Sequence, residues 1–210
     1  DTIFRIYSMT KPITSVALMM LFEEGRFQLN DPVYRFLPGW RDQQVWVQGE
    51  GDTLETRPPA SPMTMRHILS HTAGLTYGAL LAADPHPVNA VYQRLGVQRG
   101  DGETIASFAE KLAQVPLRYD PGTRWLYSLA TDVCGCLVET ISGQKFEDFL
   151  QQRIFQPLGM DDTGFWVPEH KVERFAANYE RAPDKSLRLI DDPLNSNICA
   201  RQVFRRAVAA

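Results

Sequence analysis

Ser8-Met9-Thr10-Lys11 places a hydroxyl and an amine three residues apart at the head of an apolar run. Positions i and i+3 share a helix face, so on a helix the Lys11 ammonium comes back within reach of the Ser8 hydroxyl. A serine hydroxyl is a weak nucleophile until a neighbouring base takes its proton. A lysine can serve where burial and nearby positive charge favour its neutral form. The apolar walls of the helix would supply that burial, and N–H groups at its N-terminus could hold the oxyanion of an acyl-transfer intermediate. A helix cap is the competing reading of Ser8. The spacing alone decides nothing, because Ser142-Gly143-Gln144-Lys145 repeats it. Context separates the two: Gly143 breaks the backbone after Ser142, and Lys145 opens a polar stretch.

Other machinery can be checked against the same sequence. No G-x-S-x-G elbow occurs, which argues against an α/β-hydrolase arrangement. The histidines, His67, His71, His86 and His170, form no H-E-x-x-H helix. His67 and His71 could share one helix face, but a zinc site needs three protein ligands, so both read as structural. There is no G-x-G-x-x-G and no P-loop, and neither a metal nor an organic cofactor is expected. Cys134 and Cys136 flank Gly135 in an apolar segment and read as reduced core cysteines, with Cys199 standing alone. That usage tilts the compartment toward a reducing one such as the cytoplasm.

The elements that must position Ser8 come next. Ile13, Val16, Ala17, Met20 and Leu21 recur at helical spacing, predicting a helix over Met9–Glu24 that Gly25 ends. Val16 to Phe22 is apolar nearly all round, so this helix should lie in the interior. Residues 1–8 read as a strand running into a functional turn. Val45–Gln48 and Thr53–Thr56 read as a hairpin. Thr64 should cap a short helix, Met65–Ser70. Residues 76–100 look irregular, with Pro and Gly as punctuation. Thr104–Val115 is amphipathic through Ile105, Phe108, Ala109 and Leu112. Leu129–Ile141 and Phe146–Phe155 are further helices, and Val172–Tyr179 reads as a strand.

The 210 residues allow one sizeable core, or one domain plus part of another. A formal net charge of −3 and no dominant basic face exclude a nucleic-acid binder. The longest apolar run, Val16–Phe22, is too short to span a bilayer. There is no signal peptide, and both ends look cut. The last stretch, with Arg201, Arg205 and Arg206 among Ala and Val, is either a short basic helix or a non-native terminus such as a shifted reading frame.

The run SMTKPITSVALMMLFEEGRFQLNDPV resembles the nucleophile helix of the serine β-lactamase-related superfamily, which includes penicillin-binding proteins, class C β-lactamases and family VIII carboxylesterases. Three more segments match in the same order: LSHTAGL from Leu69, PGTRWLYSLATDVCG from Pro121, and FQPLGMDDTGF from Phe155. The resemblance implies an α+β, β-lactamase/transpeptidase-like fold. It would be present incompletely, as the helical domain with the nucleophile helix and little of the antiparallel sheet. One partial domain is expected over residues 1–197, with the nucleophile helix near 8–25 and a helical region about 61–160, followed by an atypical tail over 198–210.

Carried over by residue, the resemblance implies that Ser8 is acylated, that Lys11 assists its deprotonation, and that Tyr127 acts as base and then acid. On its own residues Tyr127 reads as a core aromatic; a catalytic role needs an adjacent cation to lower its pKa, and Lys11 is the candidate. Class C enzymes usually carry Tyr-Ser-Asn where this chain has Tyr127-Ser128-Leu129. Leu129, taken as a substrate-binding position, offers no side-chain hydrogen bond. That difference, and Thr-Tyr-Gly after Leu75, look closer to the family VIII esterases and tilt the substrate toward a simple carboxylic ester. The family's third motif (Lys-Thr-Gly, His-x-Gly or Trp-x-Gly) is not found. The expected function is a serine carboxylesterase acting through an acyl-enzyme on a small ester or lactam. The alternatives are a β-lactamase or D,D-peptidase, or a truncated, inactive β-lactamase-like protein.

Overall fold

The computed structural model describes residues 1–78, 85–97 and 104–196. Helix α1, Thr10–Glu23, follows directly on a single 3-10 turn, Tyr7–Met9. Pro12 falls in the first turn, where its missing N–H is not needed. Gly25 ends the helix at φ +72°, donating its N–H to the Phe22 carbonyl at 2.9 Å. The buried stripe is Thr10, Thr14, Ala17, Leu18 and Leu21. This corrects the expected face: of the five residues assigned to it, only Ala17 and Leu21 are buried, and Val16 is 53% exposed. The threonines can enter the packed side because Thr14 Oγ1 satisfies itself on the Thr10 carbonyl at 3.1 Å. The helix is therefore one-sided rather than interior.

Helix α2 is Met65–Leu69, α3 Pro87–Arg94, α4 Ile105–Ala113, α5 Ala130–Ser142 and α6 Phe146–Leu150. Helix α5 is the centre, packing against α1, α2, α4 and α6. It is buried from Ala130 through Val138, and its small residues let neighbours approach closely. Cys134 and Cys136 are free thiols there; burial pushes both up, Cys136 to about 11, which keeps them protonated and inert. Gly143 closes α5 in the left-handed region. Helix α4 presents Ile105, Phe108, Ala109 and Leu112 to the core, as its periodicity predicts. Each large apolar side chain so buried stabilises the fold by about 1.5–3 kcal/mol.

Strands are few. β1, Val45–Gln48, pairs antiparallel with β2, Glu55–Arg57, and β3, Asn178–Arg181, pairs antiparallel with β4, Leu187–Asp191. β2 starts later than predicted because Gly51–Thr53 winds into a 3-10 turn, with Thr53 Oγ1 on the Glu50 carbonyl at 2.8 Å. The predicted strand over residues 1–8 reduces to a parallel bridge between Ile3 and Phe175. It stops there because Tyr7 takes φ +42° and starts the 3-10 turn. The predicted strand over Val172–Tyr179 is borne out only in part: Val172–Arg174 close a 3-10 turn, Glu169–Arg174, tied down by the Arg174–Asp162 ion pair, Phe175 bridges to Ile3, and Asn178 and Tyr179 open β3.

Two helical readings also change. Within the supposedly irregular 76–100 region, Pro87 at the first position and a His86 Nδ1 cap on the Val88 N–H (3.2 Å) start α3. The predicted Phe146–Phe155 helix is α-helical only to Leu150 and continues as a π turn, Gln151–Phe155. Among the described residues, the elements from α2 to that turn are all helical. The 198–210 tail, with Cys199, lies outside the described residues. Among the described residues no helix is long and apolar enough to cross a membrane.

Candidate active site

The Ser8 hydroxyl is not spent on capping. The N-cap of α1 is Met9, which makes no side-chain cap bond, and Ser8 sits in the preceding 3-10 turn. Tyr7, just before it, holds a positive φ that a bulky residue rarely adopts. The Asn178 side-chain amide on the Tyr7 hydroxyl helps to hold it there. Lys11, three residues on, brings Nζ to 3.0 Å from Ser8 Oγ. This is the i, i+3 geometry read from the spacing.

Tyr127 arrives from the far side of the sequence. The segment leading to α5 is laced by backbone hydrogen bonds to the stretch after α2. The Gly122 N–H meets the Thr72 carbonyl at 2.7 Å, Leu126 meets His71 at 2.9 Å, and Leu129 meets Thr76 at 3.2 Å. Two glycines permit this closeness. A Cβ on Gly74 would lie 2.1 Å from the Tyr119 carbonyl oxygen, and one on Gly122 would lie 2.9 Å from His67 Nε2. So held, the Tyr127 hydroxyl stands 2.9 Å from Ser8 Oγ, and Lys11 Nζ lies 4.6 Å from the Tyr127 ring centre. Ser8, Lys11 and Tyr127 are therefore brought together in space.

Electrostatics favour a shared proton. Burial pushes the Tyr127 phenol up, as does the Asp132 carboxylate. Hydrogen bonding with Lys11 and Ser8, with the Lys11 charge, outweighs both and holds the phenol below its ordinary value. Because Ser8 Oγ accepts from Lys11, its own proton is free to point at Tyr127. The site is open: Ser8 is exposed, and a cavity of about 160 Å³ elsewhere, lined by Ile3, Glu147, Phe155, Trp166 and Lys171 among others, includes none of the three.

Three expectations need revision. Two of the N–H groups at the head of α1 foreseen for an oxyanion are engaged, Met9 N–H on the Ile6 carbonyl and Thr10 N–H on those of Ser8 and Tyr7. Leu129, expected beside the substrate, is fully buried at the entrance to α5 and belongs to the core. His67 and His71 share no helix face. His67 completes the α2 cap, its Nδ1 accepting from Thr64 N at 3.2 Å, whereas His71 lies past the helix end at φ +55°. The His71 ring is 5.2 Å from that of Tyr127, with Nδ1 3.2 Å from Ser128 Oγ. Burial, then the Lys11 charge, push His71 down, so it borders the site as a neutral ring. Tyr77 and Trp125 also flank Tyr127. The sequence reading missed these rings; the Thr-Tyr-Gly after Leu75 was the available signal for Tyr77. The duplicate motif has no such company: Ser142 Oγ accepts from Gln144 N at 3.1 Å in an exposed turn.

Known proteins share this arrangement's sequence and fold. The Beta-lactamase family model matches residues 1–199. Esterase EstB of Burkholderia gladioli is 37% identical over 196 residues, which are 91% of this chain and 45% of EstB. Protein Rv1367c of Mycobacterium tuberculosis is 36% identical over 188 residues, 90% of this chain and 45% of its own. EstCE1, a hydrolase with promiscuous acyltransferase activity, superposes with a TM-score of 0.74 at 32% identity, covering 91% of this chain and 46% of that one. A penicillin-binding protein from Bacillus halodurans, 22% identical with a TM-score of 0.63 over 99% of this chain and 55% of its own, shares the fold. The chain spans about half the length of the curated relatives it matches. With the family's pattern running through the stretch that carries Ser8, Lys11 and Tyr127, the chain belongs to the Beta-lactamase family.

Proposed function

We propose that this chain carries the nucleophile of a serine hydrolase that transfers acyl groups through a Ser8 acyl-enzyme, acting on simple carboxylic esters. The observation that supports it most is the contact of Ser8 Oγ with both Lys11 Nζ (3.0 Å) and the Tyr127 hydroxyl (2.9 Å). Ser8 Oγ attacks the ester carbonyl and its proton passes to the Tyr127 oxygen, whose developing charge Lys11 offsets. Tyr127 then returns the proton to the departing alkoxide, which leaves as an alcohol and leaves the acyl group on Ser8. A water hydrolyses that ester by the same relay run again. A relative named esterase and a structural neighbour titled a hydrolase with acyltransferase activity favour esters.

The test is a fluorophosphonate label on the full-length protein, together with nitrocefin and short p-nitrophenyl esters assayed side by side. Labelling should disappear in Ser8→Ala, and the esters should turn over faster than nitrocefin. Faster nitrocefin turnover would overturn the substrate class. Folded protein that takes no Ser8-dependent label would overturn the whole reading in favour of an inactive scaffold.

A further inference from the structure

The Tyr77 ring lies flat on that of Tyr127, with centroids 5.2 Å apart and planes inclined by 7°. Lys11 Nζ is 5.8 Å from the centre of the Tyr77 ring and 4.6 Å from that of Tyr127, so one cation faces both π systems. The backbone beneath Tyr77 is fixed from two directions. Thr76 donates its N–H to the buried Tyr92 hydroxyl at 3.0 Å and its own hydroxyl to Asn89 Oδ1 at 2.8 Å, both on α3. The Thr76 hydroxyl also accepts the Gly78 N–H at 2.9 Å, and its carbonyl accepts the Leu129 N–H at the mouth of α5. Burial pushes the Tyr92 phenol up to about 12 against the opposing Thr76 bonds, so it stays a neutral partner at physiological pH.

We infer that Tyr77 is a positioning residue for Tyr127: its ring, anchored through Thr76 to α3 and α5, is the plate against which the phenol is held in bonding range of Ser8. Tyr127 is half-buried and sits on an irregular segment, so its ring needs a neighbour to select one orientation. A flat ring contact restricts rotation about the Cβ–Cγ bond and swinging of the whole side chain away from Ser8. The hydroxyl of Tyr77 is not required for this, only its ring. The inference deepens the acyl-transfer reading and rests on it.

The experiment is a cycle in the full-length protein with Tyr77→Leu, Tyr77→Phe, Tyr127→Phe and the pair Tyr77→Leu/Tyr127→Phe. It is read as kcat and KM on a p-nitrophenyl ester and as the rate of fluorophosphonate labelling. Tyr77→Leu should lower kcat about tenfold or more with KM nearly constant, since small misplacements of reacting groups are costly. Tyr77→Phe should restore the rate to within about threefold, because the ring is kept. In the Tyr127→Phe background, Tyr77→Leu should cost nothing further, since the phenol it positions is gone. Additive losses, a Phe variant as slow as Leu, or a harmless Tyr77→Leu would each overturn the inference. If Tyr77→Leu does not fold, Tyr77→Met takes its place under the same criteria. A fully active Tyr127→Phe would instead overturn the underlying proton relay, and this inference with it.

Discussion

Replacing Lys11 by methionine nearly keeps the length of the side chain and removes its charge together with its hydrogen bonds, which reads out what the ammonium does to Tyr127. In the structure, hydrogen bonding with Lys11 and Ser8, together with the Lys11 charge, outweighs the burial and the Asp132 carboxylate that push the Tyr127 phenol up. The size of the charge effect follows from distance. Taking the 4.6 Å from Lys11 Nζ to the Tyr127 ring centre as the separation, a unit charge acts on a phenolate with about 3.6 kcal/mol at an effective dielectric of about 20. The site is open to water, so screening leaves about half, roughly 1.8 kcal/mol. At 1.36 kcal/mol per pH unit, the base limb of kcat/KM should move by about one to one and a half pH units.

The sign follows from the proposed role of Tyr127 as the base. A base must lose its proton to act, so kcat/KM rises with pH through the phenol's pKa, and raising that pKa moves the rise to the alkaline side. The deficit of Lys11→Met should therefore be largest below the wild-type limb, about 20-fold, and shrink as pH rises above the new one. The assay is a pH profile on a p-nitrophenyl ester in the full-length protein, with Tyr127→Phe as the control in which this limb disappears. An unmoved limb, or one displaced to the acid side, would refute the claim that the Lys11 charge is what brings the phenol down.

Two further outcomes follow from packing. Leu129→Asn, which restores the usual class C residue, should fail to gain lactam turnover and should destabilise by about 3 kcal/mol or more, because it empties a fully buried leucine site and buries an amide. Thermal unfolding should show it as a Tm lowered by about 6–12 °C; an unchanged Tm would mean the side chain faces the substrate after all. Gly74→Ala should cost about 2–4 kcal/mol, since residue 74 has φ +81° and the new Cβ would meet the Tyr119 carbonyl oxygen at 2.1 Å. Denaturant unfolding would show a lowered midpoint; a neutral result would mean that the loop carrying Tyr127 is not held by this approach.

What the sequence made legible is what depends on neighbours along the chain. Ser8 and Lys11 meet because a helix puts i and i+3 on one face, and Thr64 caps α2 because the capping bond is local. Tyr127 is 119 residues from Ser8, and its approach depends on backbone bonds between the 71–76 and 122–129 stretches that no local pattern encodes. Only the ordered resemblance of four segments pointed to it. The Leu129 error has the same root. In an extended segment Tyr127 and Leu129 would share a face, but Leu129 already has φ −70° and ψ 13°, so the turn into α5 swings its side chain into the core. Nor did the sequence announce the backbone of Tyr7 or His71. Of the three non-glycine residues with positive φ among those described, these two border the site; a tyrosine rarely takes such a conformation, and a histidine, though it does so more often, does not by itself signal it. Local rules are broken where the Ser8 hydroxyl is presented and the Tyr127 ring bordered. This site was therefore hardest to read in the positions that shape it, and easiest in the pair that one helix turn brings together.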